Sequence, residues 1–400
     1  MRIVASAGGA VALALAVVPM TPVQAASLNP DNGNDRIACS TSALTNAIDG
    51  ALAADGGTIE LARDCRYVLT SALPSIDVPV TLRGGKGTSI ERSVLAGTSQ
   101  FRIFEVDGSA GFLTLDDLTV RNGDSPENGG AVLVRSGRTL LLKSVTLTRN
   151  QATGHGGAVA NEGGRVILRD SRVEKNSAGG DGGGIHTSGG VVSVDSSAVD
   201  QNRATGNGGG VASSDDGYVT ATHSSVDKNE AVGGNGGGID NGGTADIQST
   251  GVTGNRAGGD GGGIHNTGTL VVGRSSIIKN TAANGGGIHN TGLLWIGRSV
   301  VKENVADADG GGGLSNEGEA TVESSDITGN ETGAGGLGGG VLNSDGNTVL
   351  TDSTVTRNQA TDGGGIYKTA GAVTLNRTRV KDNVPNNCSS LTTPVAGCVG

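Results

Sequence analysis

The 400-residue chain carries 29 Lys+Arg against 39 Asp+Glu, a formal net charge of −10 spread along its length, and only 3 Phe, 3 Tyr and 1 Trp. No basic stripe is present to neutralise phosphates, which excludes a nucleic-acid partner. Glycine is the outlier at 73 residues; scattered, it would signal disorder, but it recurs at a fixed period, and that decides for an ordered repeat fold.

Residues 1–25 hold Arg2, an apolar run from Ile3 to Val18, then Pro19, Pro22 and the small-residue site Val23-Gln24-Ala25. This pattern reads as a secretory signal peptide and predicts a secreted, extracellular mature chain. The run is short and broken by Gly8 and Gly9, and no later stretch reaches 18 apolar residues, so no membrane span is expected. Residues 26–85 read as an N-terminal cap. There Leu44, Ala47, Ile48, Ala51 and Leu52 follow helical spacing after Ser40-Thr41-Ser42, and Gly56-Gly57 ends the helix before a strand from Thr58 to Leu61. The four cysteines fall as two local pairs, Cys39 with Cys65 and Cys388 with Cys398, which predicts two disulfides in an oxidising compartment. Their placement at opposite ends, without a C-x-x-C spacing, argues against zinc.

Residues 86–383 are the repeat. Ten copies of Gly-Gly-[Ala/Gly]-[Ile/Val/Leu] end on Val132, Val159, Ile185, Val211, Ile239, Ile264, Ile288, Leu314, Val341 and Ile366, at intervals of 24 to 28 residues. A second marker keeps step: Asn122, Asn150, Asn176, Asn202, Asn229, Asn255, Asn280, Asn304, Asn330, Asn358 and Asn383. Between them the apolar residues alternate with period two, as in Val166, Leu168 and Val173, which is a strand signal. Adjacent glycines in every unit, mostly in threes, exclude helical repeats. No single unit can bury its apolar face, so the units must stack into one core. The prediction is an all-β, single-stranded right-handed parallel β-helix of about 10–12 turns, with the marker asparagines stacked about 4.8 Å apart as a self-satisfying amide column. A partial second column comprises Asn161, Asn241, Asn266, Asn290, Asn316 and Asn343. Residues 384–400, with Cys388 and Cys398, read as the C-terminal cap.

The Gly-Gly-[Ala/Gly]-[Ile/Leu/Val] block followed by x-x-Asn, as in Val226-Asp227-Lys228-Asn229, resembles the repeats of polymorphic outer membrane proteins, a branch of the pectin-lyase-like β-helix superfamily. That family has Phe where this chain has mostly Val or Ile, and it ends in a translocating barrel for which this chain has no room. The resemblance implies a surface or adhesive role by analogy only. Because the superfamily includes lyases and polygalacturonases, a polysaccharide lyase or glycoside hydrolase is the alternative.

Candidate chemistry is sparse. Gly154-His155-Gly156 matches the Gly-His-Gly of polygalacturonases, but their Asn-Thr-Asp and Arg-Ile-Lys partners are missing, and His155 fills the slot before Gly-Gly that Asp or Asn fills elsewhere. Asp116-Asp117 and Asp215-Asp216 are carboxylate pairs without a convergent partner. Asp181, Asp260 and Asp362 could hold calcium through turn carbonyls, but they lie several turns apart and read better as turn residues, so no cofactor is expected. Asp240, His265, His289 and Ser315 form a column one residue after the apolar marker, outward by alternation; two imidazoles and a carboxylate at strand spacing could act as acid and base or hold a metal. Trp295 is also outward, between Val271 and Thr321, and an exposed indole on a β-face can stack on sugar rings. The reading adopted is a secreted, monomeric, non-catalytic scaffold that presents an extended surface to glycan, cell wall or a cell-surface protein.

Overall fold

A computed structural model describes residues 36–214 and 216–398; the leader expected at 1–25 lies outside the described residues. The chain winds as a parallel β-solenoid of about 13 turns. Four sheets of 13, 13, 9 and 12 strands, met in that order along the chain, make four faces. One turn shows the plan. Arg165–Arg169 lies on the first face, Arg172–Glu174 on the second, Ser177–Ala178 on the third and Ile185–Ser188 on the fourth. Val191–Asp195 then pairs in parallel and in register with Arg165–Arg169, one turn below.

Each face has its own reason in the sequence. On the first face Val166 and Leu168 point in and are fully buried, as are Val173 on the second and Ile185 on the fourth; stacked turn upon turn, these positions form one continuous apolar core. The corner between first and second faces is a single left-handed residue, Asp170 at φ 48°, and that between second and third is Lys175 at φ 55°. Such a conformation costs a non-glycine residue roughly 1–2 kcal/mol, and the polar column that follows each corner offsets it. After the second corner comes the asparagine. Asn176 Oδ1 accepts both the backbone N–H and Nδ2 of Asn150, at 2.9 and 3.0 Å, while its own Nδ2 donates to Leu147 O and Asn202 Oδ1, both at 3.0 Å. The same set of bonds recurs up to Asn383, whose Nδ2 reaches Asn387 Oδ1 at 3.2 Å. After the first corner runs a hydroxyl column, unanticipated from sequence, in which Ser171, Ser197, Ser224, Thr250, Ser275, Ser299, Ser325 and Ser353 each accept a backbone N–H from the turn before.

The glycine run forms the third corner, and its absence from the first two turns and the last explains why the motif count undershoots the turns. Third-face strands begin only at Asp124–Ser125, in the turn that opens with Phe112–Asp116, and no glycine run follows the last first-face strand, Ala372–Asn376; the two earliest rungs, Gly57–Glu60 and Pro79–Arg83, likewise need no such corner. The first of these pairs with the second, which places the start of the winding inside the segment read as a cap.

At the N-terminal end, helix Thr41–Ala53 is capped by Ser40, whose hydroxyl accepts Ala43 N–H at 3.2 Å, and it buries Leu44, Ile48 and Ala51 against the first rungs. The Cys39–Cys65 disulfide ties it down. At the other end Cys388–Ser390 adds to the fourth face beside Ile366–Lys368, the Cys388–Cys398 disulfide closes the loop, and Val395 is buried against the core.

Candidate functional site

The histidine column assembles as expected in register and differs in exposure. Asp240, His265, His289 and Ser315 are direct neighbours on successive fourth-face strands. His265 Nδ1 lies 2.6 Å from Asp240 Oδ1, and the two imidazoles stack with centroids 5.5 Å apart at 13°. Alternation predicted an outward, accessible column; instead His265 is 8% and His289 5% exposed. The cause is the glycine run itself. Gly261 and Gly285, at φ 69° and 57°, fold the backbone of their own turn back over the strand, where a Cβ would run into the backbone of His265 and of His289. The run is therefore a roof as well as a corner. Burial lowers the pKa of His289, opposed by the Asp260 charge and reinforced by His265, and its Nδ1 is buried without a hydrogen-bond partner.

Trp295 lies on the first face between Val271 and Thr321, as read from the sequence. Its ring fills the space that a Cβ on Gly297 would need, so the indole lies along its own strand and is only half-buried. Two residues away on the same side, Leu293 is 55% exposed. Leu293 is also on the wall of a shallow groove of about 530 Å³ that follows the edge between fourth and first faces over four turns. Its lining repeats by turn: Thr267 to Thr269, Thr291 to Leu293, Glu317 to Glu319 and Asp345 to Asn347. Asn347 Nδ2 donates to Glu319 Oε1 at 2.7 Å across two of these turns. Sequence reading found Trp295 but not the groove, because the groove arises where a glycine (Gly268, Gly292, Gly318, Gly346) precedes each first-face strand, and neither face's alternation encodes that.

The remaining candidates sit at corners. His155 Nδ1 accepts the N–H of Asp181 at 3.0 Å, the same bond that Asn128, Asp181, Asn207 and Asn235 each make through Oδ1 to the next turn. Asp260 Oδ1 accepts from Asn284 Nδ2 at 2.9 Å. Asp362 accepts from Asn386 Nδ2, Ser389 Oγ and Gly363 N–H, each at 2.8 Å, which holds its carboxyl below the usual range, the Asn386 bond foremost. These carboxylates thus serve as turn acceptors. Asp116 pairs with Arg83 at 3.4 Å, Asp117 occupies a left-handed corner at φ 53°, and Asp215 lies outside the described residues.

No protein-family model and no curated protein sequence matches the chain. Among solved structures, the A-module of the mannuronan C-5 epimerase AlgE6 from Azotobacter vinelandii is similar at a TM-score of 0.39 and 16% identity, with 90% of this chain and 96% of that chain covered.

Proposed function

We propose that this protein is a secreted, non-catalytic β-helix scaffold whose first face and adjoining groove bind an extracellular, uncharged glycan. The observation that carries the reading is a groove lined by threonines, Glu317, Glu319, Asp345 and Asn347 with exposed Leu293 on its wall, and the Trp295 indole further along the same first-face strand. An aromatic plane beside hydroxyl, amide and carboxylate groups is the chemistry that takes up a sugar's apolar face and its hydroxyls. A linear polymer laid along the axis meets similar groups at every turn, about 4.8 Å apart. Three carboxylates on the wall disfavour uronic-acid polymers by like-charge repulsion.

Burial of His265 and His289 beneath the glycine roof, beside a half-buried Asp240, supports binding over acid–base catalysis at that column, since a general acid must reach its substrate atom directly or through one water. The two disulfides, and the lack among the described residues of a helix long and apolar enough to cross a membrane, accord with removal of residues 1–25 and a life outside the cell. Co-sedimentation with insoluble neutral polysaccharides tests the reading. Retention of the mature protein, lost in Trp295→Ala and without release of reducing ends or unsaturated product, is the expected result; soluble products would instead support the lyase or hydrolase alternative.

A further inference from the structure

Two of the chain's five histidines meet at a single corner, away from the groove. His155 and Asp181 occupy the corner column one turn apart, and His186 lies five residues beyond Asp181 on the fourth face, in register with Ala160 below and Ala212 above. Each of the three offers a ligand atom, and these atoms all lie within 4.8 Å of one another. The imidazoles of His155 and His186 stack with centroids 4.7 Å apart at 29°. His155 Nδ1 stands 3.4 Å from Asp181 Oδ2, which matches the edge of a tetrahedron with metal–ligand bonds of about 2.0–2.2 Å. Asp181 Oδ1 accepts the N–H of Asn207 at 2.7 Å, and this bond fixes the carboxylate so that its other oxygen faces the ring, as an outer-shell partner does for a ligand.

We propose that His155, Asp181 and His186 bind one divalent first-row transition-metal ion. Two imidazoles and one carboxylate suit zinc, nickel or copper rather than calcium or magnesium. His155 Nδ1 already accepts the N–H of Asp181, so it carries no proton and presents the lone pair a metal requires; binding exchanges that hydrogen bond for a coordinate bond. His155 and Asp181 are half-exposed, which gives the ion a way in, and three protein ligands leave a fourth position for water or for a group from a bound partner. The winding itself does not call for these histidines. One turn away the same positions are filled by Asn128 and by Ala160 or Ala212.

That regularity supplies the test. His155→Asn, Asp181→Asn and His186→Ala each install a residue that a neighbouring turn carries at the same rung, so each variant keeps its corner bonds, and a metal-free melting curve verifies the fold. Zinc is titrated into the full mature chain in competition with a chromogenic chelator. The expected result is one zinc per chain, with affinity falling about tenfold or more in each variant and unchanged in His265→Ala and His289→Ala. No stoichiometric binding, binding that survives all three substitutions, or binding lost instead with His265 or His289 would overturn the assignment.

Discussion

At the residue scale the asparagine column is the most exacting part of the molecule. Asn255 Oδ1 accepts the backbone N–H and Nδ2 of Asn229, and its Nδ2 donates to Val226 O and Asn280 Oδ1. Asn255→Ala strands these partners in a buried place, at about 1–3 kcal/mol for each orphaned group, whereas Thr321→Ala on the outward first face should stay within about 0.5 kcal/mol. Urea midpoints measure both, and equal shifts would contradict the ladder account. His289 makes the second prediction at this scale. Its folded pKa lies below the ordinary 6.5 chiefly because burial penalises the imidazolium, so the unfolded chain takes up the proton first as pH falls. The associated stability is full above pH 6.5 and is lost on acidification. The drop in urea midpoint from pH 7.5 to 5.5 should therefore be smaller in His289→Ser, which installs the residue of the next rung; parallel drops would show that His289 titrates alike in both states. The asparagines from Asn150 onward were legible because their spacing is a period, whereas Asn122 sits one residue early, at the left-handed corner (φ 61°), and Gly123 takes the column position, its N–H donating to Asn150 Oδ1 at 2.9 Å. The burial of His265 and His289 was not, because alternation reports which side of a strand a residue takes and is blind to a backbone segment folded over that side.

At the element scale the helix Thr41–Ala53 guards an edge. Ile37 N–H donates to Glu60 O at 2.9 Å, and the helix packs Leu44 and Ile48 against the first rung, so the outer edge of Gly57–Glu60 is covered from two directions. Replacing Cys39 and Cys65 by serine releases that cover, and an uncovered strand edge invites another chain. Light scattering should show self-association of the double variant at concentrations where the parent is monodisperse; an unchanged monomer would mean that the helix holds without the disulfide. The helix itself was readable from its apolar spacing and its cap residues. The two rungs that precede the turn of Phe112–Asp116 were not, because without a third face they carry no corner motif and only short strands such as Pro79–Arg83 betray them.

At the scale of the whole molecule each turn contacts its two neighbours, so stability is close to a sum of turns and their interfaces. The block Gly-Gly-Gly-Ile-His-Asn-Thr-Gly stands at 261–268 and again at 285–292, and excision of residues 261–284 joins Asp260 to Gly285 without altering the local sequence of the corner. Such a shortened chain should keep the parent's far-ultraviolet circular dichroism per residue and melt cooperatively; an unfolded product would deny that the turns are interchangeable. The architecture was legible because the same chemistry is written ten times over. The groove at the edge of fourth and first faces belongs to no single repeat, and so no periodicity announces it.

Trp295 is the chain's only tryptophan, so intrinsic fluorescence reports on the proposed glycan surface without labelling. Titration with neutral oligosaccharides should give a saturable change in its emission for at least one sugar class, abolished when Leu293→Glu adds charge to the groove wall, while uronic-acid oligomers leave the spectrum unchanged. An emission spectrum indifferent to every neutral glycan, or one that responds only to acidic polymers, would contradict the account.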